Sequence, residues 1–168
     1  DTLSPKTQAG FKQIAAKYHT GQVEYHSVEH ELRKSGIDFS NLSIEDAVMM
    51  MFMLIADDAR KDMRDMLEEM NAARQKKVAL RQAEELLKRQ IDSLRDQARN
   101  KYRTDSLVVK KKLNEKTIQL QQYYSLEKEA MAIENKAKED KTATEKHLQS
   151  VEEAINKLKQ KQLRRKSQ

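Results

Sequence analysis

This chain predicts an all-α fold, a long antiparallel helical hairpin of coiled-coil type preceded by two short helices. Three observations carry that expectation. From residue 43 to the end there is neither Gly nor Pro over 126 residues. Within that stretch apolar residues recur at alternating spacings of four and three, the 3.5-residue period of a coiled-coil seam. Charged residues make up 36% of the 168 and hydrophobic ones only 38%, too few to fill the cores of two compact globules.

The elements follow in order. Ser4 before Pro5 is an N-cap and first-turn pair, and Phe11, Ile14, Ala15 and Tyr18 then recur at helical spacing up to His19. Gly21 breaks the pattern. A second short helix is expected from about Val23 to Ser35, with Val28 and Leu32 on one face and Gly36 as its stop. Residues 37–42 read as a loop. Ser43 caps a third helix with Glu45 and Asp46 in its first turn, where the helix dipole favours acids. This gives a short-helix cap over 1–42 and a hairpin over 43–168.

The hairpin carries two apolar series. The first is Ala59, Met63, Met66, Met70, Ala73, Lys77, Leu80, Glu84, Leu87, Ile91, Leu94 and Ala98, ten of twelve apolar. The second is Val109, Leu113, Lys116, Leu120, Tyr123, Glu127, Ala130, Glu134, Ala137, Lys141, Thr144, Leu148, Val151, Ile155 and Leu158, ten of fifteen apolar. They do not share one frame, and between them Thr104, Asp105 and Ser106 are suited to stop one helix and cap the next. A turn near 103–106 divides the stretch into arms of about 90 Å each. The rival is one helix with a register shift, because the link holds no Gly or Pro. In the hairpin, Lys77 faces the region of Ile133 and Glu134. That predicts either a charge pair across the seam or a loosely packed, partly solvated middle.

Composition excludes several function classes. No cysteine means no disulfide scaffold, thiolate metal site or cysteine nucleophile, and three glycines are too few for most phosphate-binding loops. No cofactor, resident metal or small-molecule substrate is expected, and the chain is read as a non-enzyme. One string is enzyme-like: His26, Glu29 and His30 match an H-x-x-E-H pattern, with the two imidazoles one helical turn apart. A third ligand and a substrate cleft have no evident source in the short helices around it, so these side chains are read as surface groups whose protonation tunes a contact.

The candidate site is the run over 47–56, ten residues without a polar side chain. It is too short for a membrane span of about 20 residues, and a helix apolar all round must be covered on every side. Val48, Met49, Met50, Met51, Phe52, Met53, Leu54 and Ile55, with Met63, Met66 and Met70 further along, are the candidate partner-binding residues. Two coverings are open. The N-terminal helices can supply a lid through Phe11, Ile14, Tyr18, Val28 and Leu32, making the run a plain core. Alternatively a second copy, a chaperone or an assembly partner covers it, a use to which unbranched Met is suited.

The net charge of +6 lies in the last third of the chain. Lys157, Lys159, Lys161, Arg164, Arg165 and Lys166 form a basic tail with no acid among them, which either caps a helix C-terminus or meets anionic polymer or lipid. Motifs for nucleic-acid reading are missing, and lipid contact through this tail is expected to be weak. No secretory signal is read in the polar residues 1–9.

The run 43–56, followed by Met63-Arg-Asp-Met66-Leu-Glu-Glu-Met70-Asn-Ala-Ala-Arg-Gln-Lys-Lys77, resembles the coiled-coil region of secreted filament and translocator proteins of bacterial type III secretion systems. The likeness covers about 35 residues, 43–77, and is one of texture: a Met/Leu-rich patch leading into a charged helix rich in Ala, Gln and Lys. It implies an exported, virulence-associated helical protein of the bacterial surface that self-associates or binds a chaperone. The chain departs from translocators in lacking a long apolar pair of spans, which puts pore formation in doubt. Without the resemblance, a cytoplasmic setting is the expectation, and the alternative function is a basic coiled-coil adaptor for nucleic acid or anionic membrane.

Overall fold

A computed structural model describes residues 4–39, 42–100 and 106–167. It is all-α: α1 spans Pro5–His19, a 3-10 turn Tyr25–Ser27, α2 Val28–Lys34, α3 Ile44–Arg99 and α4 Ser106–Lys166. The two long helices pack against each other as an antiparallel hairpin, so the continuous-helix alternative is set aside. The expected turn near 103–106 falls on residues 101–105, outside the described residues, with Ser106 opening α4.

The caps follow from the residue types. Ser4 Oγ accepts from the Thr7 N–H at 3.2 Å and Ser43 Oγ from the Asp46 N–H at 3.2 Å, satisfying amides that a helix start leaves unpaired. Gly21 and Gly36 follow α1 and α2 at φ 80° and 70°, a conformation that costs a side-chain-bearing residue energy. The expected second helix is shorter than its apolar pattern. Its first turn is the 3-10 turn, preceded by Val23, which is buried without being helical.

The chain forms two compact units, residues 1–64 with 141–168, and residues 65–140. The first holds the main core. Phe11 and Ile14 of α1, Val28 and Leu32 of α2, Met51, Phe52 and Ile55 of α3 and Val151 and Ile155 of α4 are buried together. Phe52 is fully buried at its centre, meeting Tyr18 edge-on at 5.2 Å and Tyr25 at 5.7 Å between ring centroids. Such pairs add about 1 kcal/mol each to the burial of the rings themselves. Thr7 Oγ1 donates to the Asp38 carbonyl at 2.9 Å and so ties the segment after α2 back onto α1.

In the second unit, α3 and α4 pair alone. Met70, Ala73, Leu87 and Ile91 face a seam that also buries Ala130 and Ala137. Lys77 Nζ lies 3.2 Å from Glu134 Oε2, and seven residues further along α3 Glu84 meets Glu127, seven residues back along α4. The lysine of the seam therefore has a charge partner. All fifteen residues of the α4 series are buried or half-buried, and eleven of the twelve in α3. The exception, Ala98, is exposed while Gln97 beside it is half-buried, close to the end of α3.

Phe52→Ala is expected to cost about 3 to 5 kcal/mol, because it leaves a cavity among rings that cannot collapse into it. Urea unfolding followed by circular dichroism reads this directly. A cost under about 1 kcal/mol would mean that the aromatic cluster does not hold the first unit together.

Candidate assembly surface

The apolar run lies on the first turns of α3, and the fold treats its residues unequally. Val48, Met49, Met51, Phe52 and Ile55 are buried, Met50 is half-buried, and Met53 and Leu54 are 50% and 36% exposed. The N-terminal helices are thus one cover of the run and α4 is the other. Met63 and Met66 are half-buried, and Met70 is buried in the second unit. Met53 rims a shallow groove of about 290 Å³ between α3 and α4. Arg60 crosses this groove, 3.0 Å from Asp57 and 3.2 Å from Glu152, and Ile155 and Lys159 complete its wall. These pairs are exposed and contribute little stability. Their effect is to rim an apolar strip with both signs of charge.

The basic tail is partly engaged. Arg165 pairs with Glu45, Gln162 Nε2 donates to Asp46 Oδ1 at 3.3 Å, and Lys157 Nζ lies 5.6 Å from the centroid of the Tyr25 ring. The end of α4, where the dipole favours cations, therefore meets the acids that favour the start of α3. Burial, and then the nearby Tyr18, push the Tyr25 hydroxyl above its ordinary value. Lys159, Lys161, Arg164 and Lys166 are exposed.

The H-x-x-E-H residues do not converge. His26 Nε2 lies 3.1 Å from Glu24 and the Glu29 carboxylate is on Arg33 at 3.0 Å, all on the surface. Among the described residues no group of three or more His, Asp or Glu side chains is placed to hold a metal. His19 instead meets His147 of α4, ring centroids 4.4 Å apart, beside Tyr18. A larger cleft, about 710 Å³, opens between α1 and the segment following α2, lined by Lys6, Gly10, Lys17, Glu31 and Lys34. No periodicity or motif signalled the cleft or the histidine pair, since both depend on how α1 lies on its neighbours.

In the second unit the seam carries a carboxyl pair. Glu84 is 5% exposed, and its Oε1 has no hydrogen-bond donor among the described residues. Burial first, then the hydrogen bond and charge of Glu127, hold the Glu84 carboxyl above the usual range. Glu127 is held below it by that same hydrogen bond and by Arg81, whose Nε lies 3.0 Å away. The two groups share one proton more readily than they carry two charges.

Among the described residues no helix is long and apolar enough to cross a membrane. No protein-family model, curated protein or solved structure matches the chain.

A carboxyl whose value is raised in the fold contributes stability that is complete below its unfolded value, near 4.5, and is lost as pH rises through the folded value. Glu84→Gln, neutral at every pH, is therefore expected to raise stability at neutral pH by about 1 kcal/mol and to lose that advantage on mild acidification. Urea midpoints of both proteins across this range decide it, and parallel curves would show that Glu84 does not titrate in the seam.

Proposed function

We propose that the protein is an assembly component that works by helix-to-helix contact with another polypeptide and performs no chemistry of its own. One observation carries this reading. Of ten consecutive apolar residues on α3, the fold leaves Met53 and Leu54 exposed, and Met53 rims a groove that can take the edge of a further helix. Exposed neighbouring apolar residues with a charged rim favour protein partners, and Met adapts to more than one of them. A second copy of this chain is the simplest partner, and a chaperone or assembly partner uses the same surface. The resemblance over 43–77 gives the reading its most specific form, a secreted and virulence-associated component of a type III translocon or filament.

A second reading rests on the exposed Lys161, Arg164 and Lys166 at the end of α4, which suit a phosphate-bearing polymer or an anionic lipid surface. Engagement of Arg165 and Lys157 within the fold leaves less of the tail for that purpose and favours the first reading.

Light scattering at low and high salt separates the two. Apolar assembly is expected to persist or strengthen with salt, and the double variant Met53→Asp, Leu54→Asp to reduce self-association or capture of a partner about tenfold or more with helicity unchanged. Complexes that survive the double variant but dissolve in salt would transfer the function to the basic tail.

A further inference from the structure

The contact between α1 and α4 contains a pair that helix packing alone does not require. His19 is the last residue of α1, and His147 lies on α4 with its ring edge-on to that of His19, centroids 4.4 Å apart. The neighbouring Tyr18 ties the same corner. Its hydroxyl is 3.5 Å from Ser150 Oγ, and its ring meets Phe52 edge-on at 5.2 Å. The C-terminal turn of α1 thus covers Phe52 through Tyr18, and His19 at its end meets His147 of α4.

We propose that the contact of His147 with His19 is a proton-operated latch, closed while His147 is neutral and opened when it is protonated, which lifts the last turn of α1 from Phe52. Its regulatory meaning rests on the assembly reading above, because Phe52 belongs to the same apolar run as Met53 and Leu54.

The electrostatic setting supports the direction of the switch. Burial, and then the charge of His19, press the His147 imidazole below its ordinary value of 6.5. A base with a lowered value contributes stability that is present above its unfolded value and lost as pH falls through the folded value, so the closed latch weakens below about pH 6.5. The neighbouring charged groups do not offset this. On α1, Lys17 is exposed and of the same sign. On α4, Lys146 precedes His147, and Glu145 is held by Lys141 at 3.1 Å. From α3 the corner receives the uncharged Phe52 ring, while Asp57 is occupied by Arg60 at 3.0 Å. Phe11 and Ile14, buried nearer the start of α1, are not touched by the pair, so opening is confined to the end of the helix.

The test is amide hydrogen exchange of the full chain at about pH 7.5 and 5.5, corrected for the intrinsic pH dependence of exchange, with the histidine ring protons titrated by NMR. For the original chain, exchange over residues 16–20 is expected to rise as pH falls below about 6.5, by up to about tenfold per pH unit, and to level off below the His147 midpoint of the closed form, while residues 47–56 stay protected. His147→Gln is expected to abolish the rise, and His147→Arg to hold the latch open at both values. His26→Gln with His30→Gln is expected to behave as the original. Unchanged exchange on acidification, or a rise that persists in His147→Gln, overturns the latch even if His147→Arg does not fold. Light scattering of the same samples separates the two ideas: a last turn that lifts without any change in assembly, in a chain indifferent to Met53→Asp with Leu54→Asp, keeps the latch and removes the assembly reading.

Discussion

Ten consecutive residues without a polar side chain, at the start of a helix that is otherwise heavily charged, set the constraint that the first unit satisfies. An α-helix points side chains in every direction, and a single partner helix covers about one face. The α4 segment buries one side of the run through Val151, Ala154 and Ile155. The rest needs further cover, and α1 and α2 supply it through Phe11, Ile14, Val28 and Leu32. Gly21 and Gly36, with their positive φ, turn the chain sharply after each short helix, so that 30 or so residues can return to the same apolar surface. The short helices would have little reason to be helical without it, since isolated helices of this length are marginal in water.

A different balance holds in the second unit, where the seam is narrow and interrupted. Alanines at 73, 130 and 137 are buried, and small residues bring two backbones close while removing little apolar area from water each. Polar residues occupy the intervening steps. Lys77 with Glu134 is a compensated pair, and a pair of that kind fixes register more surely than it adds stability. Glu84 with Glu127 is not compensated in the same way, because two acids face each other and Arg81 pairs directly with Glu127, reaching Glu84 only through its charge. A one-heptad slip in one direction would set Lys77 against Lys141 and Glu84 against Glu134, and in the other would set Glu84 against Leu120 and Glu134 against Met70. The polar steps therefore specify one alignment of the two helices.

The long helices, their caps and their seam were legible in the sequence because each rests on local spacing. The absence of Gly and Pro after residue 43, the Ser4 and Ser43 caps and the alternation of four and three require no knowledge of distant residues. The Lys77 to Glu134 pair was legible too, once a hairpin turn near residue 105 set the arithmetic. The same arithmetic places Glu84 opposite Glu127. Like charges across a seam look unfavourable in a sequence, and only burial with a shared proton makes the pair tenable. Within the candidate site, the run was visible but the division between covered and exposed members was not. Met53 and Leu54 are indistinguishable in type from Met51 and Ile55, and only the direction from which α1, α2 and α4 approach decides which is buried. The pairing of His19 with His147 spans 128 positions and has no spacing rule behind it.

Burial acts on the two titratable clusters with one physical rule and opposite consequences. Removing water disfavours the charged form of any group, which raises an acid such as Glu84 and lowers a base such as His147. Each cluster is at ease when neutral. For the carboxyl pair, neutrality of one member comes with added protons, so mild acid relieves the repulsion in the second unit. For His147, neutrality comes with their loss, so the same acid places a charge against the end of α1. A fall in pH therefore tightens the seam of one unit while loosening a corner of the other. That separation depends on the two clusters being carried by different helices' neighbours: the seam is closed by α3 and α4 alone, whereas the histidine corner needs α1. A protein in which both clusters sat in one seam would respond to acid with cancelling effects, and the division between units is what allows a local opening without loss of the hairpin.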